Sequence, residues 1–161
     1  MTELSTNGPR IRTGQWPMDG QTDRTPRAGS QRTENEEEDE MSTLQAKRFE
    51  APDEVRPFKD GKGRVELVEL SGNLVGHGTF EPGWRWSEHV KALSGTDSCQ
   101  VEHIGYVISG RMAVAMDDGT RIEVGPGDAF HMPAGHDAWT VGDEACVLLD
   151  FGGLRGYAKQ S

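Results

Sequence analysis

A chain of 161 residues can hold one domain with a core plus a tail, and its formal net charge of −10 argues against a nucleic-acid partner. No apolar run approaches the roughly 20 residues that span a bilayer, no apolar leader opens the chain, and two cysteines make no disulfide framework, so a reduced, cytoplasmic protein without membrane contact is expected. An apolar content of 34% with 21 glycines suits short strands and tight turns, diluted by a segment that forms no core.

That segment is residues 1–44. It is rich in Thr, Arg, Gln, Gly, Pro and Asn and contains the acidic run of residues 34–40. It cannot bury enough apolar area to offset its ordering entropy, so disorder is expected. Two alternatives stand beside this: an acidic interaction tail, or a translation start at Met41, where globular-looking sequence begins.

Residues 52–58 read as a turn-rich lead-in, because each proline disfavours helix before it. Residues 64–70 alternate with neither face purely apolar, the pattern of an edge or half-covered strand. A turn at Ser71-Gly72-Asn73 leads into a strand over 74–80, which Gly76 and Gly78 are expected to bend. His77 between them reads as solvent-facing or packing. Residues 90–98 read as a loop. Residues 101–108 form the best strand, with His103, Gly105 and Val107 on one face. Asp117-Asp118-Gly119 signals a hairpin returning through 121–124. Strands are expected over 129–132, 138–141 and 145–151, and a loose tail from Gly152. Short strands at this spacing indicate a sandwich or barrel.

Two anchors stand out in the chain. Gly83 and His89 are spaced G-x5-H, and His103 and Gly110 keep the spacing of a companion segment, with His where Glu is usual. Gly127, Pro133 and Gly135 follow G-x5-P-x-G, with His136 two residues ahead of the slot that Ala138 fills. On these residues the chain resembles a single-domain cupin of the RmlC-like jelly-roll family, with a stretched first motif and a shifted second-motif histidine. The resemblance implies an all-β, double-stranded β-helix barrel over residues 45–156, followed by a short tail over 157–161. It also implies a small-molecule ligand, a homodimer pairing through an edge strand (residues 64–70 being the candidate) and, usually, one divalent ion on three histidines and a glutamate.

His89, His103 and His136 are the candidate metal ligands, and imidazole suits iron, manganese, nickel or zinc. Cys99 stands where a histidine is usual; as a ligand it favours zinc or iron, and as a small buried residue it only packs. Cys146, in an apolar run, reads as core. Trp84, Trp86 and Trp139 are candidates to wall a small-molecule site, or else to fill a barrel end or an interface. Glu88, Glu102 and Asp137 are the nearby carboxylates, and no nucleophile–base pair is apparent in the sequence. Three functions follow: a metal- and ligand-binding cupin, a metal-dependent oxygenase, isomerase or lyase for a small polar or aromatic substrate, or a metal-free sensory module.

Overall fold

The structure is a computed structural model and describes residues 43–159. The expectations for residues 1–42, including disorder, an acidic tail and a start at Met41, lie outside the described residues.

Strands β1 (Glu54–Pro57), β2 (Gly63–Leu70) and β3 (Asn73–Phe80) come first, and two short helices follow, α1 (Trp86–His89) and α2 (Lys91–Ser94). Strands β4 (His103–Ser109), β5 (Met112–Met116), β6 (Arg121–Val124), β7 (Ala129–Met132), β8 (His136–Thr140) and β9 (Cys146–Asp150) complete the domain. Six strands form one sheet in the order β1-β2-β3-β9-β4-β7, and three form another in the order β6-β5-β8. Every pairing is antiparallel, and the fold is all-β in two sheets, as the sequence indicates.

The core lies between the sheets. Val65, Leu67, Phe80, Val107, Met132, Cys146 and Leu148 enter it from the larger sheet, and Met112, Val114, Val124 and Ala138 from the smaller. Alternation decides which residues turn inward. In β4 these are His103, Gly105 and Val107; in β8, His136, Ala138 and Thr140; in β9, Cys146, Leu148 and Asp150. The same rule that packs the core therefore carries two histidines and an aspartate into it. Gly105 is required where β4 crosses the core, since a Cβ there would collide with the Leu149 carbonyl and the Phe130 ring. The 117–119 hairpin forms with Gly119 alone at positive φ, 90°, and both aspartates right-handed or extended.

Four expectations are corrected. Residues 54–57 are not a lead-in turn but β1, paired with β2; Pro57 is tolerated because β1 is an edge. Residues 64–70 are consequently interior, flanked by β1 and β3, and offer no free edge. The 90–98 loop contains α2, capped by Gly95 at φ 69°. The segment after Gly152 is not loose through 158. Leu154, Tyr157 and Ala158 are buried, and the buried guanidinium of Arg56 donates to the carbonyls of Leu154 and Tyr157. A cation buried against two carbonyls and Glu54 pins the chain end to β1.

Candidate metal centre

Backbone pairing brings distant residues together at one end of the core. The Cys99 N–H donates to the His136 carbonyl at 2.7 Å, and the N–H groups of Gly135 and His136 donate to the Cys99 carbonyl. This bridge sets Cys99 beside the first residue of β8. His103 opens β4, next to Met132 of β7, and Asp150 closes β9, paired with Gly105.

The result is a cluster in which Cys99 Sγ and one ring nitrogen each of His103 and His136 all lie within 4.8 Å of one another, every one buried. Sγ lies 3.6 Å from His103 Nε2. His103 Nδ1 lies 2.5 Å from Asp150 Oδ2, and the other Asp150 oxygen accepts the Gly152 N–H at 2.9 Å. His136 Nδ1 donates to the Pro133 carbonyl at 2.6 Å. Both rings are thus held through Nδ1 by a fixed acceptor, which orients each Nε2 as the available ligand atom.

The electrostatics follow from these contacts. Burial pushes the Cys99 thiol up, but hydrogen bonds from His103 and His136 outweigh it and bring the group down to about 6. Burial works against a charged His103, but Asp150 and then Cys99 overcome it and raise the ring to about 9. At neutral pH without an ion the proton rests on His103 and the sulfur is a thiolate. Tyr157 packs edge-on to His103, ring centroids 4.9 Å apart, and burial holds its hydroxyl well above the usual range.

His103, His136, Asp150 and Tyr157 line a cavity of about 30 Å³, room for about two waters. Trp84, Trp86, Met112, Phe130, Met132 and Leu148 supply most of the remaining wall. The indoles of Trp84 and Trp86, each 2% exposed, have N–H groups buried with no partner among the described residues. An unmade buried hydrogen bond costs about 1–3 kcal/mol.

Not every candidate comes to this place. His89 is buried but lies on α1, where its Nδ1 meets the backbone of Arg85 at 2.9 Å; it neither joins the cluster nor lines the cavity. Trp139 falls on the other face of β8, between the guanidinium groups of Arg85 and Arg121 at 4.7 and 4.6 Å, away from the cavity wall. Asp137 holds Arg85 and Ser87 on that same face. Glu102 and His131 are exposed and lie 3.5 Å apart, and His77 pairs with Glu66.

Asp150 and Tyr157 are site residues that the sequence reading passes over. Asp150 had a signal: with Cys146 inward, alternation places Leu148 and then a lone carboxylate on the core face, where burial demands a partner. Tyr157 had none, because it follows the last strand. The sequence also shows no nucleophile–base pair, whereas the fold assembles the relay Cys99–His103–Asp150 from two strands and a bridge.

Residues 93–152, which include the whole cluster, match the family described as the cupin domain. No curated protein matches the chain. Among solved structures, a protein of unknown function from Rhizobium leguminosarum is 22% identical, covering 58% of this chain and 83% of that one with a TM-score of 0.45. An RmlC-like cupin from Shewanella frigidimarina is 18% identical, covering 70% and 94% with a TM-score of 0.48. The polyketide cyclase RemF from Streptomyces resistomycificus is 19% identical, covering 68% and 79% with a TM-score of 0.49.

Proposed function

The chain is a cupin-domain protein, and on that premise we propose that it binds one divalent transition metal through Cys99 Sγ and the Nε2 atoms of His103 and His136, with a small ligand in the adjoining cavity. Of iron, manganese, nickel and zinc, a thiolate beside two imidazoles favours zinc or iron. One observation carries the reading. Nitrogen at about 2.0–2.1 Å and sulfur at about 2.3 Å from a tetrahedral ion lie about 3.6 Å apart, and Sγ lies 3.6 Å from His103 Nε2. Bound there with an open position, the ion would supply Lewis acidity to the ligand.

The residues around it have separable tasks. Asp150 fixes the His103 ring with its hydrogen on Nδ1 and so turns Nε2 toward the ion, and the Pro133 carbonyl does the same for His136. Tyr157, kept protonated by burial, is the lining group that can give a proton to a bound ligand. An oxygenase, isomerase or lyase built on this site would draw on it. Two buried free thiols support a reducing, cytoplasmic setting. A homodimer would use β1 rather than β2 as its edge, and a monomeric mass by light scattering would count against it.

Elemental analysis of the purified protein tests the reading. About one equivalent of zinc or iron is expected, and protein that stays metal-free after incubation with either ion would contradict it. A second reading rests on the Cys99–His103–Asp150 relay, which is the arrangement of a nucleophilic thiolate, its base and an orienting acid. It ranks lower because Cys99 is 1% exposed and presents no open face to a substrate. Rapid alkylation of Cys99 by iodoacetamide in metal-free, folded protein would reverse that order.

A further inference from the structure

Every residue that lines the cavity is buried, and a space of about 30 Å³ holds about two waters, so an ion or a ligand enters only where the wall moves. Most of the wall is tied down. Its strand residues are held by the ladders of the two sheets. The segment of Trp84 and Trp86 is bound to β8, through the bond from the Thr140 N–H to the Trp84 carbonyl and the pairing of Arg85 with Trp139. Leu154 and Tyr157 differ. They lie past the last strand, and among the described residues no backbone–backbone hydrogen bond joins 153–158 to the rest of the domain.

Side chains fasten this stretch instead. The Arg56 guanidinium, 4% exposed and held by Glu54, donates to the carbonyls of Leu154 and Tyr157, and Arg155 reaches back to the Gly72 carbonyl. Bonds from charged donors are strong, but so few of them release more readily than a strand ladder. The stretch begins at a hinge. Gly153 has φ 65°, and a Cβ there would meet Val101 Cγ1 and the Glu102 carbonyl. Gly152 donates its N–H to Asp150, whose other oxygen bonds His103, so the hinge is joined to the site itself. At the far end Ala158 is held at φ 49°, a conformation that a residue with a Cβ rarely takes without constraint.

We propose that residues 152–158 are a strap that opens on the Gly152–Gly153 hinge to admit the ion and its ligand, with Arg56 as the latch. The strap rests on the proposed function only for what it admits, since its motion belongs equally to the metal-free chain. Opening would lift Leu154 and Tyr157 from the wall and uncover His103 and Asp150 together.

The two thiols report that motion separately. Cys99 lies 3.6 Å from His103, against which Tyr157 packs, whereas Cys146 is buried on β9 and lines no part of the cavity. In full-length, metal-free protein, Arg56→Met should speed alkylation of Cys99 by iodoacetamide about tenfold or more, as charged hydrogen bonds to the strap are lost, and leave Cys146 unchanged, both sites being read by mass spectrometry. Arg155→Ala, which removes an exposed side chain, should speed Cys99 about threefold and decides alone if Arg56→Met does not fold. Equal acceleration of both thiols in the folded variants would overturn the strap, because the wall would then move only with the whole core. Zinc uptake by the wild-type protein with Cys99 rates unchanged in the variants would overturn the strap and leave the metal reading standing. Selective acceleration of Cys99 without zinc uptake would uphold the strap and sink the metal.

Discussion

Cys99 and Cys146 are buried to the same degree, 1% and 0% exposed, in one continuous core, yet they are opposite chemical objects. Burial pushes both thiols up. At Cys146 nothing opposes it, the charge of Glu144 adds to it, and the group rises to about 12. At Cys99 two imidazoles reverse it, down to about 6. The low dielectric of a core thus makes an isolated thiol inert and a partnered one reactive. His103 and His89 repeat the contrast. Both are buried, but His103 finds a carboxylate and a thiol on other elements, whereas His89 turns back to the backbone one helical turn before it.

Exchanging the cysteines one at a time should separate their roles. Cys99→Ser, His103→Ala or His136→Ala should remove most of the bound metal after dialysis, together with the stability that binding confers. Cys146→Ser should leave metal content unchanged while lowering stability by about 1–3 kcal/mol, as a hydroxyl enters an apolar site. Elemental analysis and thermal melts of the same samples check both halves.

Asp150→Asn leaves all three ligands in place and removes only the charge behind His103. Zinc affinity by competitive chelator titration should fall about 10- to 100-fold. A fall no larger than that of a surface aspartate variant would deny Asp150 its orienting part.

The pH dependence sharpens the contrast further. An ion must displace the His103 proton, which the folded protein holds up to about 9, so zinc affinity should rise about tenfold per pH unit from about 6 to 9. Folding of the metal-free protein should behave differently. A depressed Cys99 contributes stability that is lost as pH falls through about 6, and a raised His103 contributes stability that is lost as pH rises through about 9. Between about 6.5 and 8.5 the pair holds one proton folded, on nitrogen, and one unfolded, on sulfur, so its contribution should be level. A steep melting-temperature slope there that disappears in Cys99→Ser would show the assignment of the proton to be wrong.

The smallest effect is expected at His89. His89→Ala should leave metal content alone and lower stability by about 1 kcal/mol through its lost contact with Arg85.

These contrasts show what the sequence could and could not reveal. In 103–109 and 136–140, strand alternation fixes side-chain direction, so His103 and His136 could be placed inward from sequence alone. At His89 the same kind of reasoning had only a spacing, G-x5-H, running through a segment that folds as α1, where a strand's parity has no meaning. Trp139 shows the converse: it lies near His136 in sequence but one residue out of phase with the cavity face, and its ring stacks between two arginines outside. Asp150 was legible through its phase with Cys146. Tyr157 and Arg56 were not, because their burial depends on a long-range clasp between β1 and the chain end that no local pattern encodes.

Cys99, His103 and His136 are proposed to form one coordination site. X-ray absorption at the zinc edge of zinc-treated protein tests it most directly. The centre should show one sulfur neighbour at about 2.3 Å and two imidazole nitrogens at about 2.0–2.1 Å, with the sulfur shell gone in Cys99→Ser. A zinc bound only by oxygen and nitrogen, with the same spectrum in Cys99→Ser, would contradict it.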